Sequence, residues 1–249
     1  MKMIHQYIID TRQKHPLHFT LLDPGKMNPD DLVGLAKQTA EAGTDGFLIG
    51  GSTDLSLEKV DASVDAIKDI THLPVVLFPT HASSVSGHAD AIFFMSLLNS
   101  ESRQYLVGEQ IASARWVKKT GLEPLSMAYL VVAPGMAAGK VGQAQPLPRD
   151  DPNSVVSHAL AGQYLGMKYI YLEAGSGASI PVPPEIIEAV RSEVETFLIV
   201  GGGIKSPEDA VQAVKAGADI IVTGTLVETS NELKEEMSSL IKSIHLGSI

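Results

Sequence analysis

The segment IVGGGIKSPEDAVQAVKAGADIIVTGT (199–225) contains two apolar runs that each end in glycine, joined by a stretch of helical period. Glycine after a strand lets backbone N–H groups approach an anion without a Cβ in the way, and a following helix adds its partial positive charge. Two such turns on successive parallel strands are typical of the phosphate site of an eight-stranded βα barrel. One glycine turn alone is also explained by packing, so the pair carries the phosphate interpretation.

Eight continuous apolar runs alternate with segments of helical period, as expected for parallel strands buried on both faces. The predicted strands are 18–24, 46–50, 74–79, 91–98, 124–132, 169–174, 196–202 and 219–224. The predicted helices are 30–42, 55–70, 104–119, 154–166, 184–193, 207–216 and 230–244. The sequence therefore predicts an α/β fold, a (β/α)8 barrel of the TIM type, and its 249 residues match a single such domain over 1–249.

The third helix of this barrel is missing from the pattern. Only THASSVSGHAD lies between Pro79 and Ala91, which is too short for a covering helix with two loops. A short loop segment therefore replaces that helix, which leaves an apolar flank on the barrel. A loop, a neighbouring subunit or an apolar ligand are the candidates to cover the flank.

The longest region without a periodic pattern is 134–154. Connections of this length are more often functional than not, so this segment is a candidate active-site loop. An insertion without a role is the alternative, and the sequence leaves open whether the loop closes over the site.

Composition excludes several classes of function. The formal net charge is −10 and the basic residues form no runs, which argues against nucleic-acid binding. The absence of cysteine excludes thiolate nucleophiles and cysteine-ligated zinc. Neither His15 with His18 nor His81 with His88 has the spacing of a helical metal-binding pair. With no signal-peptide pattern and no apolar run of membrane-spanning length, the expected location is the cytoplasm.

Active sites of such barrels lie at the carboxyl ends of the strands, where two acidic residues occur. Asp23 ends the first strand and is either a turn or capping residue or a magnesium ligand. Glu173 ends the sixth strand inside an apolar run, where an unpaired charge is costly. It is either a structural hydrogen-bonding residue or a base that faces the barrel mouth.

Seven segments taken together resemble one known family: LLDPGK, IGGST, PVVLFP, FFMSLLNS, YLEAGSGA, IVGGGIKS and VTGT. They are similar, in the same order from Phe19 to about Thr225, to the geranylgeranylglyceryl phosphate synthase family, which includes the bacterial heptaprenylglyceryl phosphate synthases. The resemblance implies a modified βα barrel whose third helix is replaced. It also implies a Mg²⁺-dependent prenyltransferase that joins sn-glycerol 1-phosphate to a prenyl diphosphate, in the first ether bond of archaeal-type membrane lipids.

The same resemblance implies the site residues. Asp23 and Ser52 match the metal ligands, Lys26 is a diphosphate contact, and Glu173 and Tyr171 are the catalytic residues. The glycerol-phosphate site is matched by Tyr171, Leu172, Glu173, Ala174, Gly175, Ser176, Gly177, Gly202, Gly203, Gly224 and Thr225.

Other interpretations stay open on the sequence alone. We expect geranylgeranyl diphosphate as the substrate, with the longer heptaprenyl diphosphate as the alternative. A barrel isomerase or aldolase acting on another phosphorylated metabolite would use the same phosphate corner, although no lysine lies inside a predicted strand. A binding module is disfavoured by the two strand-end acids. The open flank and the segment with Arg115 and Trp116 favour a homo-oligomer, and a lipid product favours transient membrane contact.

Overall fold

Eight parallel strands form a closed barrel, in which each strand pairs with the next and the last pairs with the first. The computed structural model describes residues 3–51, 55–224, 226 and 233–247. The strands are β1 (Leu17–Leu22), β2 (Gly46–Gly50), β3 (Val75–Phe78), β4 (Ala91–Leu97), β5 (Glu123–Val131), β6 (Tyr169–Glu173), β7 (Phe197–Gly201) and β8 (Ile220–Thr223). The predicted (β/α)8 barrel is thus confirmed, and each predicted strand is found within two residues of its expected ends.

Helices surround the strands. They are α1 (Ile4–Arg12), α2 (Pro29–Ala42), α3 (Leu57–Ile70), α4 (Glu109–Thr120), α5 (Met136–Val141), α6 (Pro152–Tyr164), α7 (Pro184–Glu193), α8 (Pro207–Lys215) and α9 (Leu233–Leu246). Two of the starts show why the sequence predicts them well. The Asn28 side chain accepts a hydrogen bond from the Asp31 amide, and Ser206 and Asp209 form a reciprocal capping box. None of the helices traced in the described ranges is long and apolar enough to cross a membrane.

The missing third helix is confirmed, since only a 3₁₀ turn at Ala82–Ser84 lies between β3 and β4. This connection is fastened to α4. The Glu109 carboxylate accepts from the Ala82 amide at 2.6 Å, and the Trp116 indole donates to the Val85 carbonyl at 2.8 Å. The loop and α4 therefore share part of the cover that a third helix would have provided.

Helix α1 has no counterpart in the predicted helices, and it closes the amino-terminal end of the barrel. Its Ile4 and Ile8 are buried in the same apolar cluster as Phe19 of β1. The His5 ring nitrogen Nδ1 lies 2.7 Å from the Tyr169 hydroxyl, inside the floor of the barrel. Because this end is plugged, access to the barrel interior is left to the carboxyl ends of the strands.

Successive side chains along each strand point to opposite sides of the sheet and so belong to two different apolar layers. On β6, Tyr169 and Tyr171 belong to the cluster inside the barrel, whereas Ile170 and Leu172 belong to the layer between strands and helices. Glu173 has the parity of the two tyrosines. Its side chain is therefore directed towards the barrel mouth.

Asp219 joins three elements near the floor. Its Oδ1 accepts from Nε of Arg12 at the end of α1 at 2.7 Å, and its Oδ2 accepts from Arg191 of α7 at 3.1 Å and from the Leu198 amide at 2.9 Å. The carboxylate is mostly buried.

We expect Asp219→Asn to lower the free energy of unfolding by about 2 kcal/mol or more, because two partly buried guanidinium groups lose their anionic partner. Urea unfolding followed by circular dichroism measures this. The control is Glu41→Gln, which removes an exposed ion pair with Lys234 at 2.6 Å and should change stability little. Equal effects of the two variants would contradict the assignment.

Candidate active site at the carboxyl ends of the strands

Two adjoining pockets open at the carboxyl ends of the strands. The larger has a volume of about 960 Å³ and the smaller of about 420 Å³. Four residues line both: Leu21, Glu173, Ser176 and Gly224. These four residues lie at or just after the carboxyl ends of β1, β6 and β8, so the ends of these strands meet at the boundary between the two pockets.

Most of the predicted site residues lie at these pockets. Asp23 and Lys26 line the larger one, and Tyr171, Gly177, Gly202 and Gly203 line the smaller one. The side chains of Leu172 and Ala174 are packed in the layer between strands and helices, so only their backbone faces the site. Ser52 and Thr225 lie outside the described residues.

Glu173 is the buried carboxylate on the wall between the two pockets, with 6% of its surface exposed. Its Oε1 accepts from the Gly175 amide at 2.6 Å, and its Oε2 accepts from the Tyr129 hydroxyl at 3.1 Å. The Tyr171 hydroxyl is a further hydrogen-bond partner. These three donors satisfy a charge that would otherwise be costly to bury.

Burial sets the protonation of this cluster. Loss of solvent raises the pKa of Glu173 above its usual value, and the three hydrogen bonds oppose that rise in part. Burial, with the neighbouring carboxylate, raises the pKa of both Tyr129 and Tyr171 well above the usual value. The tyrosines therefore remain donors, and the carboxylate is a stronger base than an exposed glutamate.

The glycines of the smaller pocket are required by close approach. A Cβ on Gly202 would overlap Oε1 of Glu173 and lie 2.7 Å from the Gly175 amide nitrogen, and a Cβ on Gly203 would lie 2.5 Å from the Ile180 carbonyl oxygen. Both glycines have positive φ, of 80° and 76°. Glycine is therefore required at both positions by the close packing and the left-handed backbone of the turn.

Lys205 adds a positive charge to the glycine-lined pocket. Its amide and that of Ser206 donate to the Asp209 carboxylate, both at 3.1 Å, in the capping box that starts α8. An anion would therefore contact the earlier amides of the turn together with the Lys205 ammonium. The pocket has the size and donor set of a phosphate site.

Asp23 is buried at the edge of the larger pocket, with 3% exposure. Its Oδ1 accepts from the Gly25 amide at 2.9 Å, and its Oδ2 lies 3.9 Å from the Lys26 ammonium. A Cβ on Gly51 would overlap the Asp23 carboxylate, so glycine at this position leaves room for the carboxylate. A hard oxygen ligand beside a lysine fits a Mg²⁺ ion that also binds phosphate groups.

The rest of the larger pocket is largely apolar, apart from Thr80, Glu109 and Gln110, and lies on the side where the third helix is replaced. It is lined by Phe78 of β3, Met95 and Leu97 of β4, Tyr105 of the π-helical turn Gln104–Gly108, and Ala138 and Val141 of α5. Part of the predicted loop 134–154 thus forms one wall of the larger pocket. This part is α5, a helix that the sequence pattern did not predict. An extended apolar ligand with an anionic end at Asp23 and Lys26 fits this shape.

Sequence reasoning missed three side chains that the structure places in the site. Tyr129 pairs with Tyr171 in the register of β5 and β6, so strand alternation was the signal that both point inward. Lys205 stands within the glycine turn but was not assigned to it. Tyr105 had no signal, because the π-helical turn that aims it at the pocket is not visible in a helical pattern.

A glycine-lined anion pocket, a buried carboxylate and an apolar cleft at the mouth of one barrel define a phosphate-binding βα barrel that also accepts an apolar group. A family model described as the PcrB family matches residues 8–244. The chain belongs to this family, as the resemblance of its motifs indicates.

Named relatives cover nearly the whole chain. The geranylgeranylglyceryl phosphate synthase of Thermococcus gammatolerans is 48% identical over 245 residues, which are 96% of this chain and 97% of that protein. The crystal structure of (S)-3-O-geranylgeranylglyceryl phosphate synthase from Thermoplasma acidophilum, in complex with substrate sn-glycerol-1-phosphate, has a TM-score of 0.95 and 42% identity, and covers 98% of this chain and 99% of that chain. The tryptophan synthase alpha chain of Legionella pneumophila, at 16% identity and a TM-score of 0.65, shares the fold alone.

We expect Gly202→Ala to weaken binding of sn-glycerol 1-phosphate by about tenfold or more, because the new Cβ strains the turn and displaces the Glu173 carboxylate. Isothermal titration calorimetry measures the affinity. Gly166→Ala is the matched control, since Gly166 has a φ of 83° and no atom close to the position of its Cβ. An equal loss of affinity in both variants would show that backbone strain, and not the site, is responsible.

Proposed function

We propose that this protein is a prenyltransferase that joins sn-glycerol 1-phosphate to geranylgeranyl diphosphate and releases diphosphate. The observation that carries the proposal is the position of Glu173, which lines both the glycine-lined pocket and the apolar cleft. A hydroxyl group on a ligand in the first pocket is thereby brought next to a base and to the reactive end of a ligand in the second.

The smaller pocket holds the glycerol phosphate in this proposal. Gly202, Gly203 and Gly224 surround the phosphate, and Lys205 balances its charge. Ser176, which lines both pockets, contacts the glycerol. Thr225 stays a prediction as a further phosphate contact.

The larger cleft holds the prenyl chain. Burial of each CH₂ group contributes roughly 0.8 kcal/mol, so a long chain gains much of its affinity from this surface. Its diphosphate lies at the polar end of the cleft, where Lys26 provides a cation. Chain length is the finer choice, and we propose geranylgeranyl over the longer heptaprenyl chain.

Glu173 acts as the general base in the proposed reaction. The terminal glycerol hydroxyl forms a C–O bond to the allylic carbon, while the bond from that carbon to the diphosphate oxygen breaks and its electron pair leaves with the diphosphate. The hydroxyl proton passes to the Glu173 carboxylate, whose raised pKa favours its acceptance. Tyr129 and Tyr171 hold the carboxylate in place throughout.

Asp23, together with Ser52 outside the described residues, would hold a Mg²⁺ ion at the diphosphate end of the cleft. When bound, Mg²⁺ stabilises the negative charge that develops on the leaving diphosphate. Lys26, beside Asp23, orients the same group and shares in its neutralisation.

We also propose that the protein acts in the cytoplasm, as a homo-oligomer that makes transient contact with a membrane to deliver its product. The support is the amphiphilic product together with the exposed Ile111 and Trp116 on α4, next to the flank of the replaced helix.

Purified protein with Mg²⁺, labelled sn-glycerol 1-phosphate and geranylgeranyl diphosphate should form a lipid-extractable ether. Parallel reactions with heptaprenyl diphosphate test the longer chain, and incubation with glycerol phosphate alone tests for isomerisation. The absence of a lipid-soluble product with every prenyl diphosphate would refute the proposed function.

Glu173→Gln should lower turnover by about a hundredfold or more while glycerol-phosphate affinity changes less, because only the base is removed. In the unaltered protein, turnover should fall as pH decreases through a value above that of an ordinary glutamate, since the raised pKa means that the carboxylate is protonated earlier. Glu185→Gln, an exposed acid on α7, is the control. If Glu173→Gln kept the turnover of the unaltered protein, Glu173 would not be the general base.

Asp23→Asn should raise the Mg²⁺ concentration needed for half-maximal activity by about tenfold or more, because one anionic ligand is lost. The titration of activity against Mg²⁺ at saturating substrates measures this. Asp150→Asn, at an exposed position in the 134–154 loop, serves as the matched control. An unchanged metal response in Asp23→Asn would contradict its role as a ligand.

A further inference from the structure

Three metal-ligating side chains meet at the end of the barrel opposite the candidate active site. His15 lies between α1 and β1, Asp45 immediately precedes β2, and His245 lies near the end of α9. One ligand atom of each lies within 4.8 Å of the other two. Segments from both ends of the chain are thus joined at one place on the barrel floor.

The spacing is close to that of a zinc site. Nε2 of His245 lies 3.0 Å from Oδ2 of Asp45, and the ring centroids of His15 and His245 are 3.9 Å apart. With metal–ligand bonds of about 2.0–2.2 Å, neighbouring ligands of a tetrahedral ion are about 3.3 Å apart. Both histidine rings are partly exposed and all three ligand atoms lie within 4.8 Å of one another, so the proposed site requires them to move closer when a metal binds.

The ligands are also held by surrounding groups. The buried Asp45 carboxylate accepts from the His18 amide at 2.8 Å, which fixes its orientation. Nδ1 of His15 lies 3.0 Å from the Pro16 carbonyl, to which it can donate, so the neutral ring keeps a lone pair on its other nitrogen. Carbonyl and amide partners of this kind orient metal ligands in proteins.

We propose that His15, Asp45 and His245 bind a divalent transition-metal ion such as Zn²⁺, with water as a fourth ligand. Two imidazoles and one carboxylate favour such an ion over Mg²⁺, which prefers oxygen ligands. The bound ion ties α9 to the floor of the barrel and stabilises the fold. This site is separate from the Mg²⁺ position at Asp23, which lies at the opposite end of the strands.

The test uses the full-length protein stripped of metal with a chelator, and titrated with Zn²⁺ in excess Mg²⁺ by isothermal titration calorimetry. We expect one equivalent to bind at micromolar or tighter concentration and to raise the melting temperature. The spectrum of bound Co²⁺ should have the strong visible absorption of a tetrahedral ion.

His15→Gln and His245→Gln should each weaken Zn²⁺ binding by more than about tenfold, since loss of a side chain that merely orients a metal ligand already costs about tenfold or more. His88→Gln is the matched control, because His88 contacts the exposed Asp65 at 2.9 Å without a second histidine. Prenyltransferase activity with Mg²⁺ should be unchanged in both site variants. The proposal is overturned if Zn²⁺ does not bind stoichiometrically, if both site variants keep full affinity, or if His88→Gln loses as much.

Discussion

A carboxylate buried at the mouth of the barrel has to be satisfied by hydrogen bonds, and much of the local architecture follows from this requirement for Glu173. Its donors come from two strands and one turn: Tyr129 of β5, Tyr171 of β6 and the amide of Gly175. The parallel register places the two tyrosines opposite each other, so the donors are set by strand pairing rather than by flexible loops. A carboxylate held in this way would need little reorganisation to accept a proton, as the proposed mechanism requires.

The same carboxylate explains the glycine turns beyond the sheet. A side chain on Gly201 would overlap the Tyr171 hydroxyl, and one on Gly202 would overlap Glu173 itself. The end of β7 is therefore glycine for two reasons at once, since the turn makes room for the base cluster and opens the backbone to an anion. In the proposed function, phosphate binding and base placement are therefore parts of one arrangement, and a substitution that damages one should damage the other.

The sequence predicted the strands well because each is an apolar run buried on both faces, and the missing third helix because the 80–90 segment has no room for one. Glu173 and Asp23 were singled out because they are the two acidic residues at the predicted carboxyl ends of the strands, where active sites of such barrels lie. Helix α1 was missed because its nine residues are shorter than the stretch over which a helical period can be recognised, although Ile4, Tyr7 and Ile8 have helical spacing.

Other parts of the site could not be predicted, for physical reasons. A tyrosine inside an apolar strand, such as Tyr129, is indistinguishable from a core residue until strand register is known. His15 and His245 lie at opposite ends of the chain, and only closure of the barrel brings their rings within 3.9 Å. The orientation of the Tyr105 side chain depends on the π-helical turn Gln104–Gly108. Such a turn contains about one more residue than an α-helical turn, and here it packs on β4.

The replaced third helix has a further consequence for the range of substrates such a barrel can accept. The interior of the barrel is filled by Phe19, Phe93 and Tyr169 and is closed below by α1, so a long apolar tail cannot enter along the barrel axis. A tail seated in the larger pocket would instead run sideways over β3 and β4, along the wall that Phe78, Met95 and Tyr105 form. In the proposed function, the side chains along this wall are different from the Glu173 cluster that would form the new bond, so the acceptable tail length could change while the reaction chemistry stays the same.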